Sequence, residues 1–187
     1  MNRMIWRDDH IFAAPDCPAI DQQFADAEPA LHRLESLIAE LAHCHEPAAL
    51  RALLRAIRAQ TKGLTELAWN SGVYGYNRLS RNGQDEAAKT LLSRSTRLSS
   101  RLAQISKPVT LFWLEAAPAL VETLLQDPEL FELAHQVRHQ RELQDQQLGL
   151  ACEQLLEGLT VDGLQAWGEL YDSLVAKLMP QVAGECM

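Results

Sequence analysis

The sequence predicts an all-α fold: a single domain of about seven helices in an irregular antiparallel helical bundle. Three observations carry this. Apolar residues recur at three- and four-residue steps along most of the 187 residues, which is the period of one helix face. No segment alternates apolar and polar residues as a half-buried strand does, and no hairpin turn joins two such runs. The breaks between periodic runs are short and marked by proline, glycine or asparagine, which favours antiparallel neighbours.

Residues 1–25 read as an irregular N-terminal segment, because Pro15 and Pro18 interrupt a helix there. The helical domain is expected over 26–180. Asp26 offers an N-cap and Pro29 suits a first helical turn. Leu31, Leu34, Leu37, Ile38 and Leu41 then mark the apolar face. Pro47 restarts the pattern, and Leu50, Leu53, Leu54, Ile57, Leu64 and Leu67 define a second helix. Gly72 and Gly75, in "NSGVYGYN", could end that helix, bend it, or let another backbone come close. Asn82-Gly83 is a turn. A third helix carries Ala88, Leu91, Leu92, Leu98, Leu102 and Ile105, and is expected to stop at Pro108.

"VTLFWLEAAPALVETLLQ" is too apolar for one wet face, and reads as one or two buried helical segments near Pro118. Asp127-Pro128 pairs an N-cap with proline at the first helical position, opening the next helix. Another is marked by Leu148, Cys152, Leu155 and Leu156, and stops near Gly158. The last runs from about Thr160 through Leu164, Trp167, Tyr171, Leu174 and Leu178 to Pro180. Residues 181–187 follow as a connection.

Composition narrows the function classes. Hydrophobic residues make up 47% of the chain, enough for a sizeable core. A net charge of -8 argues against a nucleic-acid partner, since phosphate binding needs a dense basic surface. The arginine rows Arg51, Arg55, Arg58 and Arg94, Arg97, Arg101 read as solvated helix faces. No run approaches the roughly 20 apolar residues of a membrane span. The start "MNRMIWRDDH" lacks the apolar core of a secretory signal. Cys17, Cys44, Cys152 and Cys186 form no C-x-x-C pair. Reduced thiols in a cytoplasmic protein are the expectation.

One motif invites a catalytic reading. His135-Gln136-Val137-Arg138-His139 has the spacing of a zinc-peptidase H-E-x-x-H. Helical geometry sets Leu130, Leu133, Ala134 and Val137 on one face, and His135 and His139 nearly opposite, beside Glu132. Gln136 has no basic lone pair to take a proton from a metal-bound water, which excludes general-base catalysis by this route. Two solvated histidines are the favoured reading, and a weak surface metal site of Glu132, His135 and His139 is the alternative. In His43-Cys44-His45, adjacent helical residues diverge by about 100°, so the three cannot share one metal. A helix-end or surface role is expected. There is no G-x-S-x-G elbow and no phosphate-cradling glycine loop. No catalytic residue is assigned.

Several stretches together resemble the N-terminal, non-catalytic region of oligoendopeptidase F-type zinc metallopeptidases, relatives of thimet oligopeptidase. Trp6–Asp16 resembles the family's opening Trp-Asp-Leu segment. "LLQDPELFELAHQVRHQREL" resembles its Leu-Leu, Asp-Pro-x-Leu stretch and the helix after it. "LGLACEQLLEGLTVDGLQAWGELYDSL" resembles its Leu-Ser-x-x-Glu-Glu-x-Leu-Leu run. Gly163, Ala166-Trp167 and Leu170-Tyr171-Asp172-Ser173-Leu174 fall in the matching places. Gly149 stands for the usual serine and Cys152 for the first glutamate of the pair.

The resemblance implies a helical domain that walls the channel of a zinc-dependent catalytic domain and helps restrict substrates to oligopeptides. Zinc and the H-E-x-x-H motif would belong to that absent domain. The family continues towards it about where this chain ends, at "QVAGECM", so 181–187 would be a truncated connection and the chain alone would be inactive. Tyr74, Tyr76, Trp167 and Tyr171 are the candidate interface or channel residues. Trp167, at helical spacing, reads first as core, while Tyr74 and Tyr76 beside glycines stay open. The alternative function is a stand-alone helical interaction module. A metal-dependent hydrolase using the histidine pair is a third reading.

Overall fold

The computed structural model describes residues 11–144, 152, 155, 156, 159, 163, 166–175, 177, 178, 181, 182, 185 and 186. It is all-α in class. Helices α1 (Pro18–Leu41), α2 (Pro47–Arg81) and α3 (Glu86–Glu115) form the long elements. Helix α4 (Pro118–Leu125), a single 3-10 turn (Phe131–Leu133), α5 (Ala134–Glu142) and α6 (Ala166–Val175) follow. The described residues thus hold six α-helices against the seven expected. The helix expected around Leu148–Leu156 lies for the most part outside them. A two-residue hairpin, Gln181–Val182 against Glu185–Cys186, closes the described chain. No alternating pattern signals a pair so short.

The long helices pack because their apolar residues keep a strict three-four spacing. On α1 these are Ile20, Phe24, Ala27, Leu31, Leu34, Ile38 and Leu41. On α3 they are Leu91, Leu98, Leu102, Ile105, Val109 and Phe112, with the buried Ser95 in the same register. A seven-residue apolar repeat holds one seam against its neighbours over many turns. This repeat corrects two expectations. Helix α1 begins at Pro18, not near Asp26: Pro18 takes the first helical position, and Pro29 lies inside the helix. Likewise α3 runs through Pro108 to Glu115. In each case proline forfeits one backbone hydrogen bond, yet the apolar seam continues across it.

The glycines of α2 serve close approach, not termination. A Cβ at Gly75 would lie 3.3 Å from the Ala88 carbonyl oxygen and 3.4 Å from the Leu92 nitrogen. Three residues earlier, a Cβ at Gly72 would meet the Ser95 hydroxyl oxygen at 2.9 Å. That hydroxyl donates across the seam to the Ala68 carbonyl at 2.7 Å. We expect Gly75→Val to force α2 from α3 and to cost about 1–3 kcal/mol, read by urea denaturation.

At its C-terminal end α3 breaks at Ala116 and α4 leaves at 114°. Helix α5 then returns, and its Arg141 donates to the Trp113 and Leu114 carbonyls at 2.5 and 2.9 Å, satisfying acceptors that a helix end leaves open. Val121, Leu124 and Leu125 join the main core, as the dense apolar stretch implied, and so do Leu130, Ala134 and Val137 beyond it.

The arginine rows are not plain solvated faces. Arg94 reaches Asp21 at 2.6 Å and stacks 4.3 Å from the Phe24 ring centre. Arg101 reaches Glu28 at 2.5 Å. Both tie α3 to α1. On α2, the Arg55 guanidinium grips Asp127 with two nitrogens, Nε lying 3.0 Å from each carboxylate oxygen, and Arg58 meets Glu132 at 2.8 Å. Asp127 is buried and also accepts the Glu129 backbone N–H at 3.0 Å. It does not cap α5 as the sequence suggested: that helix starts at Ala134, after the 3-10 turn, and Asp127 instead holds the turn before it and bridges to a helix far away in the chain.

Candidate functional site

Three surfaces bear on function. The first is the histidine pair. His135 and His139 are exposed on α5, their rings parallel with centroids 6.1 Å apart. Ala134 and Val137 face the core, so the helix presents the faces that its periodicity implied. Glu132, the third member of the surface metal reading, is held by Arg58. Among the described residues no group of three histidine, cysteine or acidic side chains is arranged to hold a metal ion. At the end of α1, His43 and His45 are exposed while Cys44 packs against the core.

The second surface is a groove along the α2–α3 seam, about 520 Å³ in volume. Its lining includes the small residues Ala68, Gly72, Ser99 and Ala103. Trp69 and Tyr76 line it and are 72% and 62% exposed. Sequence reasoning singled out Tyr76 and missed Trp69. Spacing could have found it, since Trp69 and Tyr76 are seven residues apart and share a helix face. Tyr74 turns the other way. It is 1% exposed and packs edge-on against Phe12, ring centres 5.4 Å apart. It is a core residue, two positions and about 200° from Tyr76.

The third surface is α6. Trp167, Leu170, Tyr171, Leu174 and Val175 are all exposed and fall on one half of the helix, with Gly168, Glu169, Asp172 and Ser173 on the other. The expectation that Trp167 is core is corrected: it is 71% exposed. The helical period was right, but among the described residues no element covers the face it defines. The four candidate residues therefore do not form one site. Tyr74 is internal, Tyr76 lies in the groove, and Trp167 with Tyr171 lies on α6.

Among the described residues no single helix is long and apolar enough to cross a membrane. Fold and surfaces together define a helical-bundle module with apolar surface left to cover. The family model described as Oligopeptidase F, for the N-terminal domain, matches residues 113–179. Over that stretch, about a third of the chain, the sequence is similar to the oligopeptidase F N-terminal region, and the resemblance read from "LLQDPELFELAHQVRHQREL" and "LQAWGELYDSL" is borne out. The match spans the end of α3, α4, α5 and α6; Trp6–Asp16 lies outside it. No curated protein and no solved structure gives a match.

Proposed function

We propose that this chain is the N-terminal helical domain of an oligoendopeptidase F-like metallopeptidase, and that it helps wall the peptide channel of a zinc-dependent catalytic domain. The observation that carries the reading is the family match over residues 113–179, which includes the exposed apolar face of α6. A helix with Trp167 and Tyr171 in water is costly unless a partner covers it. The zinc and the general base belong to the catalytic domain, and His135 and His139 take no part. The free thiols of Cys17, Cys44 and Cys152 support a cytoplasmic setting. A second reading, a stand-alone interaction module, is favoured by the open α2–α3 groove alone.

Peptide hydrolysis tests the reading. The chain with added zinc is expected to cleave short quenched peptides no faster than a metal-only blank, and His135→Ala to change nothing. As a surface substitution, His135→Ala should also shift stability by less than about 0.5 kcal/mol. Hydrolysis should arise when the chain is combined with a polypeptide carrying H-E-x-x-H encoded beside it. Zinc-dependent cleavage by the chain alone, lost in His135→Ala, would replace this reading with a hydrolase built on the histidine pair.

A further inference from the structure

Among the described residues, two apolar surfaces are left uncovered, and they match each other. In the bundle, α1 packs on one side of the α2–α3 pair. On the other side the 3-10 turn and α5 approach its lower end, where Arg58 meets Glu132. Beyond that point no described residue covers the seam, from Thr61 to Tyr76 on α2 and from Ser95 to Ser106 on α3. Fifteen helical steps are about 22 Å of groove, and α6 is about 14 Å long. Small residues, Ala68, Gly72, Ser99 and Ala103, line the groove and let another helix come close, while Trp69 and Tyr76 also line it and are exposed. Helix α6 presents Trp167, Leu170, Tyr171 and Leu174 at three-four spacing, the pattern that seats a helix between two others.

We propose that α6 of one copy of this chain lies in the α2–α3 groove of a second copy, and reciprocally, so that each groove gains the helix that completes a four-helix arrangement. The area is sufficient. Trp167 and Tyr171 alone offer on the order of 300 Å² per helix. Two helices and the two grooves they cover then bury on the order of 1,200 Å², the size of a specific interface before the aliphatic residues are counted. A reciprocal exchange closes on itself as a two-fold dimer and leaves no sticky end. The inference concerns the chain by itself and does not depend on the family reading.

Sedimentation velocity on the purified chain tests it. A dimer is expected, with a dissociation constant below about 10 µM. Leu174→Glu on the helix and Ala103→Glu in the groove should each weaken association by at least about tenfold, with the circular-dichroism melting curve showing that each still folds. Mixing the two variants restores one intact helix-groove contact per pair, so the mixture should associate more tightly than either alone. A monomer at high concentration would overturn the proposal, whether Trp167 is then protected from iodide quenching, meaning α6 docks within its own chain, or remains quenched, meaning a different partner is needed. Dimers indifferent to both substitutions would overturn it as well.

Discussion

Asp127→Ala is expected to lower the thermal midpoint by on the order of 10 °C, one of the two largest effects of any single substitution considered. Asp127 sits in the turn between α4 and the 3-10 helix with its side chain 2% exposed. The Arg55 side chain holds it through a bidentate grip, Arg51 stands 3.9 Å away, and the Glu129 N–H donates to it. Removing the carboxylate leaves the half-exposed Arg55 with Glu129 at 3.5 Å as its remaining carboxylate and frees the turn that carries α5. Asp127→Asn keeps an oxygen to accept the Glu129 N–H but loses the charge, so it should fall between wild type and alanine. Differential scanning calorimetry separates the three.

The same contact sets a pH dependence. The Arg55 guanidinium holds the Asp127 carboxyl below its ordinary value despite burial, and the Glu129 N–H adds to this. Arg101 does the same to Glu28, Arg138 to Glu122, and the Ala88 N–H, with Arg78, to Asp85. A carboxyl depressed in the folded state binds fewer protons there than in the unfolded chain. Its stabilisation is therefore complete above the unfolded value, about 4, and is lost as pH falls through the folded one. Stability is expected to decline from about pH 5 downward, and more shallowly in Asp127→Ala.

Leu34→Ala is expected to cost about 3 kcal/mol, within the 2–5 kcal/mol span for such truncations. Leu34 is 0% exposed at mid-α1, within the main core cluster that joins α1 to α2 and α3. The cavity opens between three long helices that cannot all move in to fill it. Urea denaturation at fixed pH gives the value. A loss under about 1 kcal/mol would mean that α1 packs less closely than described.

Most of the bundle was legible in the sequence because its apolar spacing is regular. The misplaced helix ends at Pro29 and Pro108 share one cause: proline outweighs that spacing in the reading of the sequence. Pro29 and Pro108 were read as a start and a stop, yet the seams Ala27-Leu31-Leu34 and Leu102-Ile105-Val109 cross both. Tyr74 was recoverable, since it continues the face of Leu64, Leu67 and Ser71. Other features were not. The Arg55–Asp127 clasp joins residues 72 apart, and nothing local marks such a partner. For Trp167 the period alone identified an apolar face, but a period says only that a face exists, not what covers it.

That face is where the account is most exposed to test. It holds that residues 113–179 belong to a domain that accompanies a zinc peptidase. Reading the genomic sequence beyond codon 187, in all frames, tests this most directly. The account predicts a region encoding H-E-x-x-H with a further glutamate downstream of it. Neighbouring sequence without such a motif in any frame would contradict it, and would leave the stand-alone helical module as the better description.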